Sequence, residues 1–146
     1  MSEQRIEQII YIKASIEQVW DALTNPEVTV KYWGNTRIES DWQPRSTIRY
    51  VRDGHVMDEH IILDVQAPAR LVHTFQPLFD DFQNEPASQV SMALQQDGDV
   101  VRLTLVHDHF APDSKVYQAC SQGWPMILSA LKTLLESGDV LPPLAA

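Results

Sequence analysis

The stretch Gly123–Ser137, GWPMILSALKTLLES, decides the reading of the fold. Trp124, Ile127, Leu128, Leu131, Leu134 and Leu135 recur at steps of three and four, drawing one apolar stripe along about four turns of helix. Lys132 and Glu136 fall off the stripe and can face water. Gly138 stands where a left-handed residue ends a helix. Apart from one short helical stretch near the start, the chain upstream of Ser114 reads as strands. A single amphipathic helix preceded by a sheet's worth of strands must bury its stripe against that sheet. Whether the space between them is full or hollow governs function, and the sequence points to a hollow one.

Working outward from the helix, the strands announce themselves by a period of two. Arg5–Lys13 is the first, with Ile6, Ile10 and Ile12 on one face. Ser15 then opens a helix, with Gln18 three residues on to close a capping box, and Ile16, Val19, Trp20 and Leu23 form its stripe. Asn25-Pro26 is a second start signal, for a short helix that runs toward Trp33 and stops near Gly34. Six further strands follow: Thr36–Ser40, Thr47–Arg52, His55–Val65, Arg70–Gln76, Ser88–Gln95 and Val100–His109. Asp53-Gly54 and Asp97-Gly98 suit tight hairpins, and Ala67-Pro68 breaks another pair, so neighbours are expected to run antiparallel. Pro77–Pro86 is too long for a hairpin. Its Phe79 and Phe82 suit either a lid or an anchor to the nearest apolar surface. The fold class is therefore α+β. Residues 1–138 are expected to form one domain and 139–146, with Pro142-Pro143, a loose tail.

Composition narrows the function classes. The formal net charge of -9, with no basic stripe, argues against nucleic acid and against an anionic membrane surface. No apolar run approaches the ~20 residues of a membrane span, and MSEQRIEQ lacks the apolar core of a signal peptide. The single cysteine, Cys120, permits no internal disulfide and fits a cytoplasmic location. There is no phosphate-cradling glycine loop and no nucleophile elbow, and no cofactor is implied.

Three motifs carry a family resemblance. Ile12–Pro26, IKASIEQVWDALTNP, resembles the opening of the START-like, or SRPBCC, superfamily, in the branch homologous to the activator of the ninety-kilodalton heat-shock protein ATPase. Pro68–Phe75, PARLVHTF, resembles that branch's central signature, with Phe75 where tryptophan is usual. Gly123-Trp124 followed by spaced leucines resembles its closing motif. Together they span about residues 6 to 137. The resemblance implies a helix-grip fold, a curved antiparallel sheet wrapped around the C-terminal helix with a cavity between. It implies a small apolar or amphipathic ligand such as a lipid or polyketide, and in some members cyclisation or hydrolysis. A chaperone or a second copy of the chain is the other partner class it suggests. Two departures stand out. Pro125 is tolerated only in a first turn, so the long helix should begin near Gly123, with Ser114–Ser121 as a separate short helix. His60 stands near where many relatives have glycine.

Strand alternation supplies the candidate lining. Val101, Leu103, Leu105, His107 and His109 share one face of the last strand; Leu71, His73 and Phe75 share one in Arg70–Gln76; Val90, Met92 and Leu94 share one in Ser88–Gln95. In His55–Val65 the expected inward set is Met57, Glu59, Ile61, Leu63 and Val65, and Tyr50 and Arg52 lie with Ile48. A one-residue slip would exchange the faces of any strand. The ligand site is thus expected among Trp33, Tyr50, Arg52, Met57, Glu59, His73, Phe75, Met92, Leu103, Leu105, His107, Trp124, Ile127, Leu128 and Leu131. An apolar pocket with a few convergent polar groups is the usual form of such a site. Glu59, if inward, needs a cation, and Arg52 across the Asp53-Gly54 hairpin could supply it. Glu59 with His73 or His107 could also do acid–base work. His107 and His109 could reach one ion, but a third ligand at recognisable spacing is missing, so no metal site is expected.

Overall fold

The computed structural model describes residues 4–142. Its order is β1 (Ile6–Lys13), α1 (Ile16–Thr24), α2 (Pro26–Tyr32), β2 (Arg37–Ser40), β3 (Thr47–Arg52), β4 (His55–Gln66), β5 (Arg70–Phe75), β6 (Ser88–Asp97), β7 (Val100–Asp108) and α3 (Lys115–Ser137). A short 3₁₀ turn, Asp80–Asn84, interrupts the link from β5 to β6. The strands form one antiparallel sheet in the order β1-β7-β6-β5-β4-β3-β2. This is the α+β helix-grip arrangement. The tail expected to be loose extends past residue 142 and there lies outside the described residues.

Local chemistry sets the helix ends. Ser15 and Gln18 close the capping box reciprocally, and Asn25 accepts from Glu27 N–H with Pro26 in the first turn of α2. Gly138, at φ 79°, caps α3 in the left-handed region. Asp53 and Gly54 both take positive φ, the signature of a type I′ hairpin. In the β6–β7 turn the pair between strand ends is Gly98-Asp99 rather than Asp97-Gly98, because Asp97 pairs with Val100.

Two expectations are corrected. α3 is continuous through Pro125, so Ser114–Ser121 is not a separate helix; Lys115–Ser121 belong to α3, capped by the Ser114 side chain. An internal proline costs ~3 kcal/mol. Here Val116 and Trp124 before it and Leu128, Ala130 and Leu131 beyond it are all buried, and breaking the helix would sacrifice that shared burial.

The second correction concerns β4. Arg52 pairs with His55 and Val51 with Val56, but Tyr50 pairs with Asp58, leaving Met57 as an extra residue. Without this bulge Tyr50 would face Met57, and Glu59 and Ile61 would point inward. The extra residue reverses the strand, so Asp58, His60 and Ile62 are buried while Glu59, Ile61 and Leu63 are exposed. A second shift, between Ile62 and Asp64, restores the parity, and Val65 packs against the core as the alternation requires.

Candidate functional site

The sheet's pairing places the inward side chains in rows. One row runs Ile62, His73, Val90, His107, Ile6 from β4 across to β1. The next runs Ile48, His60 on β3 and β4, and Phe75, Ser88 on β5 and β6. A third joins Tyr50 to Asp58 and Asp58 to Pro77. Trp33 from the end of α2 and Trp124 from α3 close over these rows, 5.6 Å apart between ring centroids. His60 stacks on Phe75 at 4.7 Å and 16°, and Tyr50 meets His60 edge-on at 4.6 Å. Phe75 lies 4.8 Å from His107.

These rings crowd the space between the sheet and α3. Two surface clefts, of about 500 and 390 Å³, lie elsewhere: one beside Glu39, Asp41 and Arg49, the other beside Asp81, Glu85 and Lys115.

Three histidines are fully buried here, and the partners of each dictate its proton. Trp124 Nε1–H can only donate, so His107 Nδ1 accepts at 3.0 Å and its Nε2–H donates to Ser88 Oγ at 2.7 Å. The Thr74 carbonyl can only accept, so His73 carries its proton on Nδ1, at 2.6 Å. Gln76 N–H donates to His60 Nδ1 at 2.8 Å, so His60 carries its proton on Nε2. That Nε2–H has no hydrogen-bond partner. Asp58 Oδ2 lies 3.5 Å from Nε2, and both side chains are buried. Buried donors left unpaired are rare because each forfeits its hydration without replacement.

Burial also fixes the charges. It pushes His73 down to about 4 (against a hydrogen bond to the Thr74 carbonyl that pulls the other way) and His107 down to about 3, helped by the nearby His73. His60 is driven well below its usual value by burial and then by the other two rings. All three are neutral at pH 7. Burial raises the Asp58 carboxyl to about 7, with Arg52 pulling the other way. Cys120, on the face of α3 near Asp58, is pushed up to about 12 by burial first and by Asp58 and Glu85 next. It is a poor thiolate.

Trp33, Tyr50, His73, Phe75, Met92, Leu103, Leu105, His107, Trp124, Leu128 and Leu131 are buried, and Arg52, Met57 and Ile127 are half-buried. Glu59 is the residue that does not join them. It is exposed on the outer face and pairs with Arg49 at 3.4 Å, so it has no contact with Arg52 and cannot reach His73 or His107. Arg52 instead donates from Nε to Thr36 Oγ1 at 3.0 Å. His109, expected inward, adopts φ 63°, turns out of the strand and bonds Asp108 at 2.7 Å, so it and His107 do not converge. The carboxylate and imidazole that the site does contain, Asp58 and His60, were missed because alternation alone cannot see the bulge at Met57. Tyr50 gives no signal of it, because without the bulge Met57 would already serve as its inward partner on β4.

The loop after β5 passes over this corner. Leu78 N–H bonds the Met57 carbonyl, Glu59 N–H bonds the Gln76 carbonyl, and Pro77 bridges Asp58. At its far end the Glu85 carboxylate accepts from Ser114 Oγ and, at 2.7 Å, from Lys115 N–H, binding the positive N-terminus of α3. Phe82 packs against the core and Phe79 against Phe82.

Solved structures share this fold. CalU16 from Micromonospora echinospora superposes with a TM-score of 0.74 at 22% identity, over 94% of this chain and 77% of that one. The Aha1 dimer of Colwellia psychrerythraea gives 0.75 at 21%, over 92% and 98%. DynU16, from the dynemicin biosynthetic locus, gives 0.75 at 18%, over 95% of this chain and 49% of that one. No curated protein matches the sequence significantly. At these identities the structures speak to the fold. The model of the Activator of Hsp90 ATPase homolog 1-like protein family matches residues 13–136, nearly the whole chain, and the chain belongs to that family.

Proposed function

We propose that this protein binds a small amphipathic molecule between the sheet and α3, its apolar body against Trp33, Phe75, Trp124 and Leu128 and its polar end at Asp58 and His60. The observation that carries the reading is the unpaired Nε2–H of His60 beside a buried carboxyl group. A hydrophobic interior in which polar groups converge on one spot, one of them unsatisfied, has the chemistry of a ligand site rather than of a finished core. The interior is closed in this structure, so uptake requires an opening. The loop over Asp58 supports this, because none of its 3₁₀ residues is buried and Glu85 holds it to α3 through exchangeable hydrogen bonds. DynU16, a protein in the dynemicin biosynthetic locus, has the same fold, which is compatible with a small-molecule ligand.

Native mass spectrometry of freshly purified protein, followed by denaturing analysis of the same sample, tests the reading. One released small molecule per chain, or saturable uptake of Nile red by apo protein, is the expected result. An apo mass together with no saturable uptake overturns it.

A second reading is acid–base chemistry at the same corner. It is favoured by the near-neutral titration of Asp58 beside an imidazole N–H. It moves the catalytic carboxylate from Glu59 to Asp58, and any turnover found should vanish in Asp58→Asn and survive in Glu59→Gln.

A further inference from the structure

The polar corner has a definite donor–acceptor pattern, and that pattern selects a head group; the argument rests on the ligand-binding reading above. We propose that Asp58 and His60 form a subsite for an alcohol hydroxyl that rejects both carboxylate and ammonium head groups. His60 offers one N–H, fixed on Nε2 because Gln76 N–H occupies Nδ1. Asp58 offers carboxyl oxygen 3.5 Å from that nitrogen, so one oxygen atom can sit within hydrogen-bond reach, about 2.8 Å, of both. A hydroxyl accepts from His60 and donates to Asp58, and it satisfies both with one atom.

Charged heads fail for separate reasons. Above pH 7, where Asp58 is ionised, a carboxylate accepts from His60 but meets a second negative oxygen with no proton between them. The three histidines around it are uncharged, and the cation that acts on Asp58, Arg52, is already engaged through Nε by Thr36. An ammonium can pair with Asp58, yet it has only N–H groups to present to the N–H of His60. Tyr50 and Phe75 hold the imidazole in place, edge-on at 4.6 Å and stacked at 4.7 Å, so it cannot readily turn to present another face.

The experiment compares 1-octanol, octanoate and octylammonium at pH 8, read by the fluorescence of the intact protein, whose Trp33 and Trp124 line the interior. Any apolar interior favours an uncharged head to some degree, so the variants decide. The expected result is octanol binding at least tenfold tighter than either ion. Asp58→Asn should then recover octanoate binding by about tenfold, and His60→Phe should weaken octanol by about tenfold, with far-UV dichroism confirming that each variant is folded. Octanoate or octylammonium binding as tightly as octanol overturns the head-group assignment and leaves the ligand reading standing. A preference for octanol unchanged in both variants also overturns it, because the preference is then generic. No binding of any probe overturns it together with the ligand reading.

Discussion

His107 and His60 are both fully buried imidazoles on the inner face of one sheet, yet their surroundings differ in kind. At the β6–β7 side, His107 has both nitrogens matched, one to Trp124 and one to Ser88, and it ties α3 to the sheet. At the β3–β4 side, His60 has one nitrogen matched and the other unpaired, 3.5 Å from Asp58 Oδ2. A buried polar group with all its partners rigidifies a core; one lacking a partner is a cost that the fold must offset elsewhere. The contrast separates the part of the interior built for stability from the part built for binding.

The sharpest way to break the comparison is to make the same change at both sites. His107→Phe strands the Trp124 N–H and the Ser88 hydroxyl and should destabilise by about 2–4 kcal/mol in urea denaturation. His60→Phe removes an already unpaired donor, strands only Gln76 N–H and can stack on Phe75, so its cost should be within about 1 kcal/mol. Equal costs would dissolve the distinction.

Acid titration of stability comes next in size. An unfolded histidine titrates near 6.5, whereas folded His73 and His107 wait until about 4 and 3 and His60 until well below 6.5. Their contribution is complete above pH 6.5 and is lost as pH falls. Asp58 works in the opposite sense: folded it keeps its proton up to about pH 7, unfolded only to 3.8, so its contribution declines as pH rises through that interval. Three histidines against one aspartate leave a net uptake of about two protons on unfolding near pH 5, or about 2–3 kcal/mol of stability per pH unit. Denaturation midpoints measured from pH 7 to 4 should fall accordingly, and a flat profile would show that the rings are charged or solvated.

Smaller again is the effect of Asp58→Asn. At pH 8 it removes a buried carboxylate held above its usual range, so it should stabilise by about 1–2 kcal/mol. The gain should shrink toward pH 5, where Asp58 is already neutral. Glu59→Gln, by contrast, should leave stability and binding unchanged within error, since it breaks one exposed pair with Arg49. Reversal of these two results would put the functional carboxylate back on the outer face.

Legibility in the sequence followed the regularity of the chain. The inner faces of β5, β6 and most of β7 were readable because strict alternation continues through Leu71, His73, Phe75, through Val90, Met92, Leu94, and through Val101 to His107. It failed two residues later at His109, where the backbone leaves the strand. It failed along β4 because both Met57, Glu59, Ile61, Leu63 and the opposite set contain apolar residues, so composition could not reveal the bulge. The continuity of α3 through Pro125 was hidden for a related reason: local cost is visible in sequence, while the burial on either side that outweighs it is not.

By itself, then, the sequence determined the class of fold, the order of its elements and their caps, all of which rest on interactions between residues close in the chain. Only the tertiary structure decided which carboxylate enters the interior, which imidazole nitrogen carries the proton and which is left without a partner. Those outcomes depend on a one-residue shift in pairing and on contacts between β3, β4, β5 and α3, where a change too small to disturb periodicity exchanges one face of a strand for the other.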